Sequence, residues 1–272
     1  MKNFIIRAIS GFFFVALVIG SIFLGKPWFS FLITIFYIIS VKELFNLANK
    51  DNNDWLSMLF TMIIGVTYFG GIIASYGYGS HFGDNLWYNI TKYLWAFFII
   101  IYFIAILYSK KEFSFRRVGI TLFAIAYLAI PLSFLIRIEA KWLYVIFAAV
   151  WANDTFAYLV GSTIGKHRLM ERISPKKSWE GFFGGIILST VSVTLITHYF
   201  FNFIAWKVAL FVLVINIFQT WGDLFESLIK RYVGTKDSGN IIPGHGGILD
   251  RLDSIFFAAP VAYIALRILG CF

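Results

Sequence analysis

The chain has 272 residues, 60% of them hydrophobic and only 14% charged, with a mean hydropathy of +0.80. A soluble domain is about 45–50% apolar and about one quarter charged, so this apolar surplus cannot all be hidden in one soluble core and has to face lipid. The net charge of +9 comes with no nucleic-acid-binding motif and suits cytoplasmic loops and anionic headgroups instead.

A membrane helix needs about 20 mostly apolar residues. Nine stretches qualify, at roughly 4–25, 28–48, 56–77, 92–109, 118–136, 143–162, 182–201, 205–221 and 255–271. The first follows Lys2 and Arg7 and lacks a small-residue cleavage site, so it reads as a retained span. The expected fold is an all-α polytopic integral membrane protein with about nine transmembrane helices and a cytoplasmic N-terminus. With that orientation, 17 of the 23 basic residues fall inside, among them Lys50, Lys110 and Lys111, which is a strong positive-inside bias. The polar segments 163–181 and 222–254 then face the cytoplasm.

Residues 1–142 form an N-terminal set of spans whose acids, Glu43, Asp51, Asp54, Asp84, Glu112 and Glu139, lie near the expected membrane surfaces. Residues 143–272 carry the chemistry. Eight of the fourteen acids lie there: Asp154, Glu171, Glu180, Asp223, Glu226, Asp237, Asp250 and Asp253. Asp154 falls inside a predicted span and Asp223 at the end of another, positions where an ionisable group is costly and by default functional.

The single cysteine, Cys271, excludes an intrachain disulfide and a cysteine zinc site, and the four histidines are too scattered in sequence to suggest a metal-binding pair on one helix. Asp250 and Asp253 are three apart and share a helix face if they begin the last helix. Joined by Asp223, they make an oxygen-rich site suited to Mg²⁺, with Asp237 as a further candidate. Lys230, Arg231, Lys236 and Arg251 interleave with these acids and suit phosphate oxygens. The run Pro243-Gly244-His245-Gly246-Gly247 lets backbone approach an anion closely. Gly161 to Lys166 is one residue short of a P-loop and is followed by His167 where Ser or Thr is required. Lys176 and Lys177 read as phosphate contacts from a loop, or alternatively as plain positive-inside charge.

Ser227, Lys230-Arg231, Lys236-Asp237, the turn at Pro243-Gly244, His245-Gly246-Gly247, Asp250-Arg251 and Asp253 together resemble the signature of the phosphatidate cytidylyltransferases, also called CDP-diacylglycerol synthases. The 153–181 segment, opening on Asn153-Asp154-Thr155 with Ala157 and Tyr158 and including Ser174-Pro175-Lys176-Lys177-Ser178 and Glu180-Gly181, is similar to that family's second block. The resemblance implies CTP and phosphatidic acid as substrates, CDP-diacylglycerol and pyrophosphate as products, a Mg²⁺ requirement with a monovalent cation such as K⁺ as an option, a homodimer, and a site facing the cytoplasm in the inner membrane. On that reading Asp223, Asp250, Asp253 and Asp237 hold metal. Lys176, Lys177, Lys236, Gly246 and Gly247 hold the nucleotide. Ser227, Lys230, Asp250, Arg251 and His245 serve catalysis, His245 either on phosphate or as a turn residue. The alternatives are a CTP-dependent polyprenol or phytol kinase and, from another class, a membrane transporter.

Overall fold

The computed structural model describes residues 2–48, 54–77, 86–109, 115–244 and 246–271. Lys50, Asp51, His81, Asp84, Lys110, Lys111, Glu112 and His245 lie outside the described residues. Among the described residues the fold is all-α apart from one small hairpin. Its helices are α1 (Lys2–Phe23), α2 (Lys26–Ala48), α3 (Trp55–Gly77), α4 (Leu86–Leu107), α5 (Phe115–Arg137), α6 (Ala140–Ile164), α7 (Trp179–Phe201), α8 (Ala205–Tyr232) and α9 (Leu249–Ile268). Strands β1 (Arg168–Met170) and β2 (Ser174–Ser178) pair antiparallel between α6 and α7.

Helices α1 to α8 are each long and apolar enough to cross a membrane. Helix α9 is not among them: it opens on Asp250, Arg251 and Asp253 and carries Pro260 inside. Many large apolar side chains stand exposed, including Phe12, Phe13, Phe97, Leu195 and Ile196. In lipid this is the expected outward face, because hydrocarbon imposes no penalty on it.

The chain divides into two compact units, Met1–Arg137 with Asp237–Leu249, and Ile138–Lys236 with Asp250–Phe272. In the first, polar contacts tie the helices together where apolar burial against lipid tails gains little. Tyr37 on α2 donates to the Thr61 carbonyl on α3 at 2.6 Å. Tyr102 on α4 reaches both Ser57 Oγ at 3.2 Å and Thr121 Oγ1 at 3.0 Å. Asp54 accepts from Ser57 at 2.7 Å and from Arg117 Nε at 2.8 Å, so the loop before α3 is fastened to α5. Helix α5 contains a π-helical turn at Ile125–Ala129, just before Pro131. Proline has no N–H to give and its ring crowds the preceding turn, and one wider turn relieves both.

In the second unit, α6 and α7 lie closely against each other because small residues face across the seam. A Cβ on Gly181 would stand 2.7 Å from the Ala157 carbonyl oxygen, and one on Gly185 would stand 2.8 Å from Ala157 Cβ. Small residues of this kind allow membrane helices to meet backbone to backbone. At the other end, Asn202 takes a left-handed conformation (φ 52°) to close α7, and a short link leads into α8. There Trp142 stacks on Phe203 with ring centroids 4.4 Å apart and meets Phe211 edge-on at 5.0 Å.

The Asp54–Arg117 pair makes a measurable contribution to stability. Burial pushes the Asp54 carboxyl up, but the Arg117 and Ser57 hydrogen bonds and the Arg117 charge outweigh it and hold the group below its ordinary value. A carboxyl lowered in the folded state stabilises fully above the unfolded-state value of about 4 and loses that contribution as pH falls through the folded-state value. Acidification from neutrality should therefore lower the thermal midpoint in detergent. Asp54→Asn should cost about 3 kcal/mol at neutral pH and flatten that acid dependence, both read from thermal scans.

Candidate active site

The second unit holds a cavity of about 590 Å³. Its lining comes from α6 (Asn153, Asp154, Tyr158, Gly161), the hairpin (Arg168, Ser174, Lys176, Lys177), the start of α7 (Gly181, Phe182) and α8 (Thr220, Asp223). The hairpin exists because the chain must return from the end of α6 to the start of α7. Ser178 ends it as the N-cap of α7, accepting from the Gly181 N–H at 3.1 Å. Glu180 secures the approach by accepting from the backbone N–H groups of Lys166 at 3.1 Å and His167 at 3.2 Å, and pairs with His167 Nδ1 at 2.6 Å. Lys177 is thereby held half-buried, and its ammonium forms an ion pair with Asp223.

Helix α8 supplies the acids. The sequence places the end of this span at 221, because Asp223 interrupts the apolar run, yet the helix continues to Tyr232. Asp223, Glu226, Ser227 and Lys230 thus sit on successive turns rather than in a loop. Ser227 Oγ donates to Asp223 Oδ1 at 3.4 Å. Lys230 Nζ lies 2.5 Å from Glu226 Oε2 and 2.7 Å from Asp250 Oδ1 in the first turn of α9. Glu226 is completely buried. A carboxylate so enclosed persists only beside a fixed positive charge, and here two carboxylates share one ammonium. Helices α8 and α9 come together at Gly222, where a Cβ would stand 2.7 Å from the Asp253 carbonyl oxygen. The charges of Asp223, Glu226 and Asp154 all bear on Asp253, whose Oδ1 accepts from the Ser254 N–H at 2.6 Å.

In the first unit, Ile242 and Gly246 are bridged. The Ile242 N–H donates to the Gly246 carbonyl at 2.9 Å, with Gly244 and Gly246 at φ 75° and 83°. Ser10 of α1 donates to the Pro243 carbonyl at 3.0 Å and braces it.

The sequence pattern of the "Cytidylyltransferase family" matches residues 5–269 of this chain. The chain belongs to that family. Curated relatives named phosphatidate cytidylyltransferase include those of Staphylococcus saprophyticus (44% identical over 163 residues), Staphylococcus haemolyticus (43%) and Staphylococcus aureus strain COL (44%). Each alignment covers 58% of this chain and 62% of the relative.

For a cytidylyltransferase-family chain, the positions of the sequence-predicted residues divide as follows. Asp223, Ser227, Lys230, Asp250, Asp253 and Lys177 come together in the second unit. Lys176 lines its cavity and is exposed. Arg251 is exposed on α9 and Lys236 is exposed beyond α8. Asp237, Gly246 and Gly247 belong to the first unit, and Asp237 is exposed there. Two groups escaped assignment from sequence. Glu226 stands four residues before Lys230 and three after Asp223, a helical spacing that marks it once α8 is extended. Thr220 also lines the cavity, and nothing in its local sequence announces it, whereas Asn153 and Tyr158 belong to the 153–181 segment.

Among the described residues no three His, Cys, Asp or Glu side chains already converge as a cation cage. The donors nevertheless fit a hard divalent cation, since all are carboxylate oxygens. Mg²⁺ needs only one or two of them when waters and substrate phosphates complete its shell.

The approach of α8 to α9 sets this arrangement, so Gly222→Ala should disturb it without removing any charge. We expect catalytic turnover to fall about 100-fold, with the protein still extracted as a folded species on size-exclusion chromatography.

Proposed function

We propose that the chain is a phosphatidate cytidylyltransferase, joining CTP to phosphatidic acid to give CDP-diacylglycerol and pyrophosphate. The observation that supports it best is the pairing of lysines with carboxylates: Lys177 with Asp223 in the lining of the cavity of about 590 Å³, and Lys230 with Asp250 further along α8. The names of the staphylococcal relatives and the two signature blocks point to the same reaction.

In this reading the phosphatidate phosphate attacks the α-phosphorus of CTP in line, and pyrophosphate leaves. The attacking oxygen is already anionic, so the protein has no need of its own nucleophile. Its task is to bring two polyanions together and to balance their charge. Lys176 and Lys177 bind CTP phosphates, with Lys177 exchanging Asp223 for a phosphate oxygen. Lys230 and Arg251 hold the lipid phosphate and the developing charge, and Ser227 orients a phosphate oxygen. Lys236, Gly246, Gly247 and His245 stand as phosphate-binding positions on the strength of the signature they belong to, and Asp237 as an outlying metal candidate on the same ground. Asp223, Asp250 and Asp253 would hold Mg²⁺, which supplies charge neutralisation at the phosphates; a monovalent cation such as K⁺ is proposed as a second ion. The enzyme is placed in the cytoplasmic membrane as a homodimer, with its site on the cytoplasmic side, where CTP arrives from water and the lipid from the bilayer.

The direct experiment incubates purified protein with CTP labelled in the cytidine, Mg²⁺ and phosphatidic acid, and extracts the lipid. Labelled CDP-lipid with free pyrophosphate is the expected result. Phosphorylated lipid with released CDP would instead identify a CTP-dependent lipid kinase, and solute flux without turnover a transporter. Asp250→Asn should lower turnover about 100-fold or more and leave the folded protein intact. Retention of near-normal activity would refute its metal role.

Lys177→Ala separates nucleotide binding from topology. Its apparent KM for CTP should rise about tenfold, while the KM for phosphatidic acid stays within experimental error; an unchanged KM for CTP would remove Lys177 from the site.

A further inference from the structure

Among the described acids of the first unit, Glu43 on α2 is the most deeply enclosed, with only 3% of its surface accessible. It stands towards the C-terminal end of the apolar helix α2, enclosed from solvent, where an ionisable group needs compensation. The compensation comes from the far end of the chain. Its Oε1 accepts from the Ile248 N–H at 3.1 Å and its Oε2 from the Leu249 N–H at 2.8 Å. Ser238 Oγ donates to Oε2 at 3.3 Å. The two backbone donors belong to the entry of α9, where N–H groups have no partner within the helix and favour a negative charge.

The surrounding glycines have the same focus. A Cβ on Gly239 would stand 2.5 Å from Glu43 Oε1, and a Cβ on Gly247 would stand 2.5 Å from Oε2. Gly239 and Gly247 therefore approach one carboxylate so closely that neither leaves room for a side chain. The acid enters the entire loop as its central acceptor, 195 to 206 residues distant in sequence.

We infer that Glu43 is a positioning residue of the reaction, holding the glycine loop and the entry of α9 so that Asp250, the residue directly after Leu249, is presented at a fixed orientation. This inference rests on the cytidylyltransferase reading for its chemical consequence, and on the hydrogen bonds alone for its structural one. Glu43 touches no substrate. It acts as a carboxylate does behind a metal ligand, setting the geometry of a group it does not replace. Glutamine at this position keeps the volume but turns an NH₂ group towards one of the two backbone N–H donors. One bond is lost and two donors face each other.

Hydrogen exchange by mass spectrometry on the protein in nanodiscs tests the structural half. Peptides spanning 246–250 should be protected in the wild type and exchange at least about tenfold faster in Glu43→Gln. Kinetics test the chemical half. In Glu43→Gln, kcat/KM for CTP should fall about 10–100-fold, and the Mg²⁺ concentration for half-maximal rate should rise. Glu43→Asp, which keeps the charge on a shorter stem, should lie between the two.

Unprotected 246–250 amides in the wild type, or exchange unchanged by Glu43→Gln, would overturn the clamp. Faster exchange with an unaltered Mg²⁺ midpoint, and a rate lowered only in proportion to the folded fraction, would reduce Glu43 to a structural role. If the wild type itself made no CDP-lipid, the exchange result would stand and the reaction assignment would fall.

Discussion

An ionisable group inside an apolar helix bundle must carry its counter-charge with it, and this requirement governs the second compact unit. Moving a bare carboxylate out of water costs several kcal/mol even after the protein relaxes. Glu226 has no exposed surface at all. Its neighbour Lys230 lies within 2.7 Å of Asp250 as well, so one ammonium serves two acids drawn from two helices. Such a triad is a poor way to gain stability, because apolar side chains of equal volume would fold as well or better. Its retention makes sense for a site that has to meet charged reactants.

Close helix approach is the second requirement, and glycine supplies it. Gly222 lets α8 meet the first turn of α9, and Gly181 and Gly185 let α7 meet α6. In lipid there is no hydrophobic force between helices to make good a loose seam, so packing depends on how near the backbones can come. The same residues that allow the helices to associate therefore also fix the distances between acids and bases. Here packing and chemistry cannot be separated residue by residue.

Much of this was legible in the sequence, because hydropathy and signature spacing are local properties. The helical count followed from apolar runs, and Asp250 and Asp253 were placed on the opening turn of the last helix by their three-residue spacing. The extension of α8 was missed because hydropathy registers the cost of Asp223, whereas the backbone responds to helix propensity. Leu224, Phe225, Glu226, Leu228 and Lys230 carry the helix onward without difficulty. The hairpin at 168–178 was hidden by its short strands, whose pairing from Arg168–Ser178 to Met170–Ser174 is irregular and leaves no clean alternation. Glu43 was read as an acid near the membrane surface. Its real partners are amides far along the chain, and no local pattern encodes a contact of that span.

The Lys177–Asp223 pair shows why a resting site of this kind can look closed to a metal and still suit one. With no polyanion in place, the acid and the base compensate each other, and neither charge is left alone in a medium where that would be costly. On the proposed reading, an arriving nucleotide and its cation would offer both a better partner, the lysine taking phosphate oxygen and the aspartate the cation. One internal pair would then be replaced by two mixed pairs, and neither side chain would lose its counter-charge. On the same reading, pairing each acid with a base keeps the enclosure receptive to an anion. A cage of uncompensated acids would repel the very phosphates it has to receive.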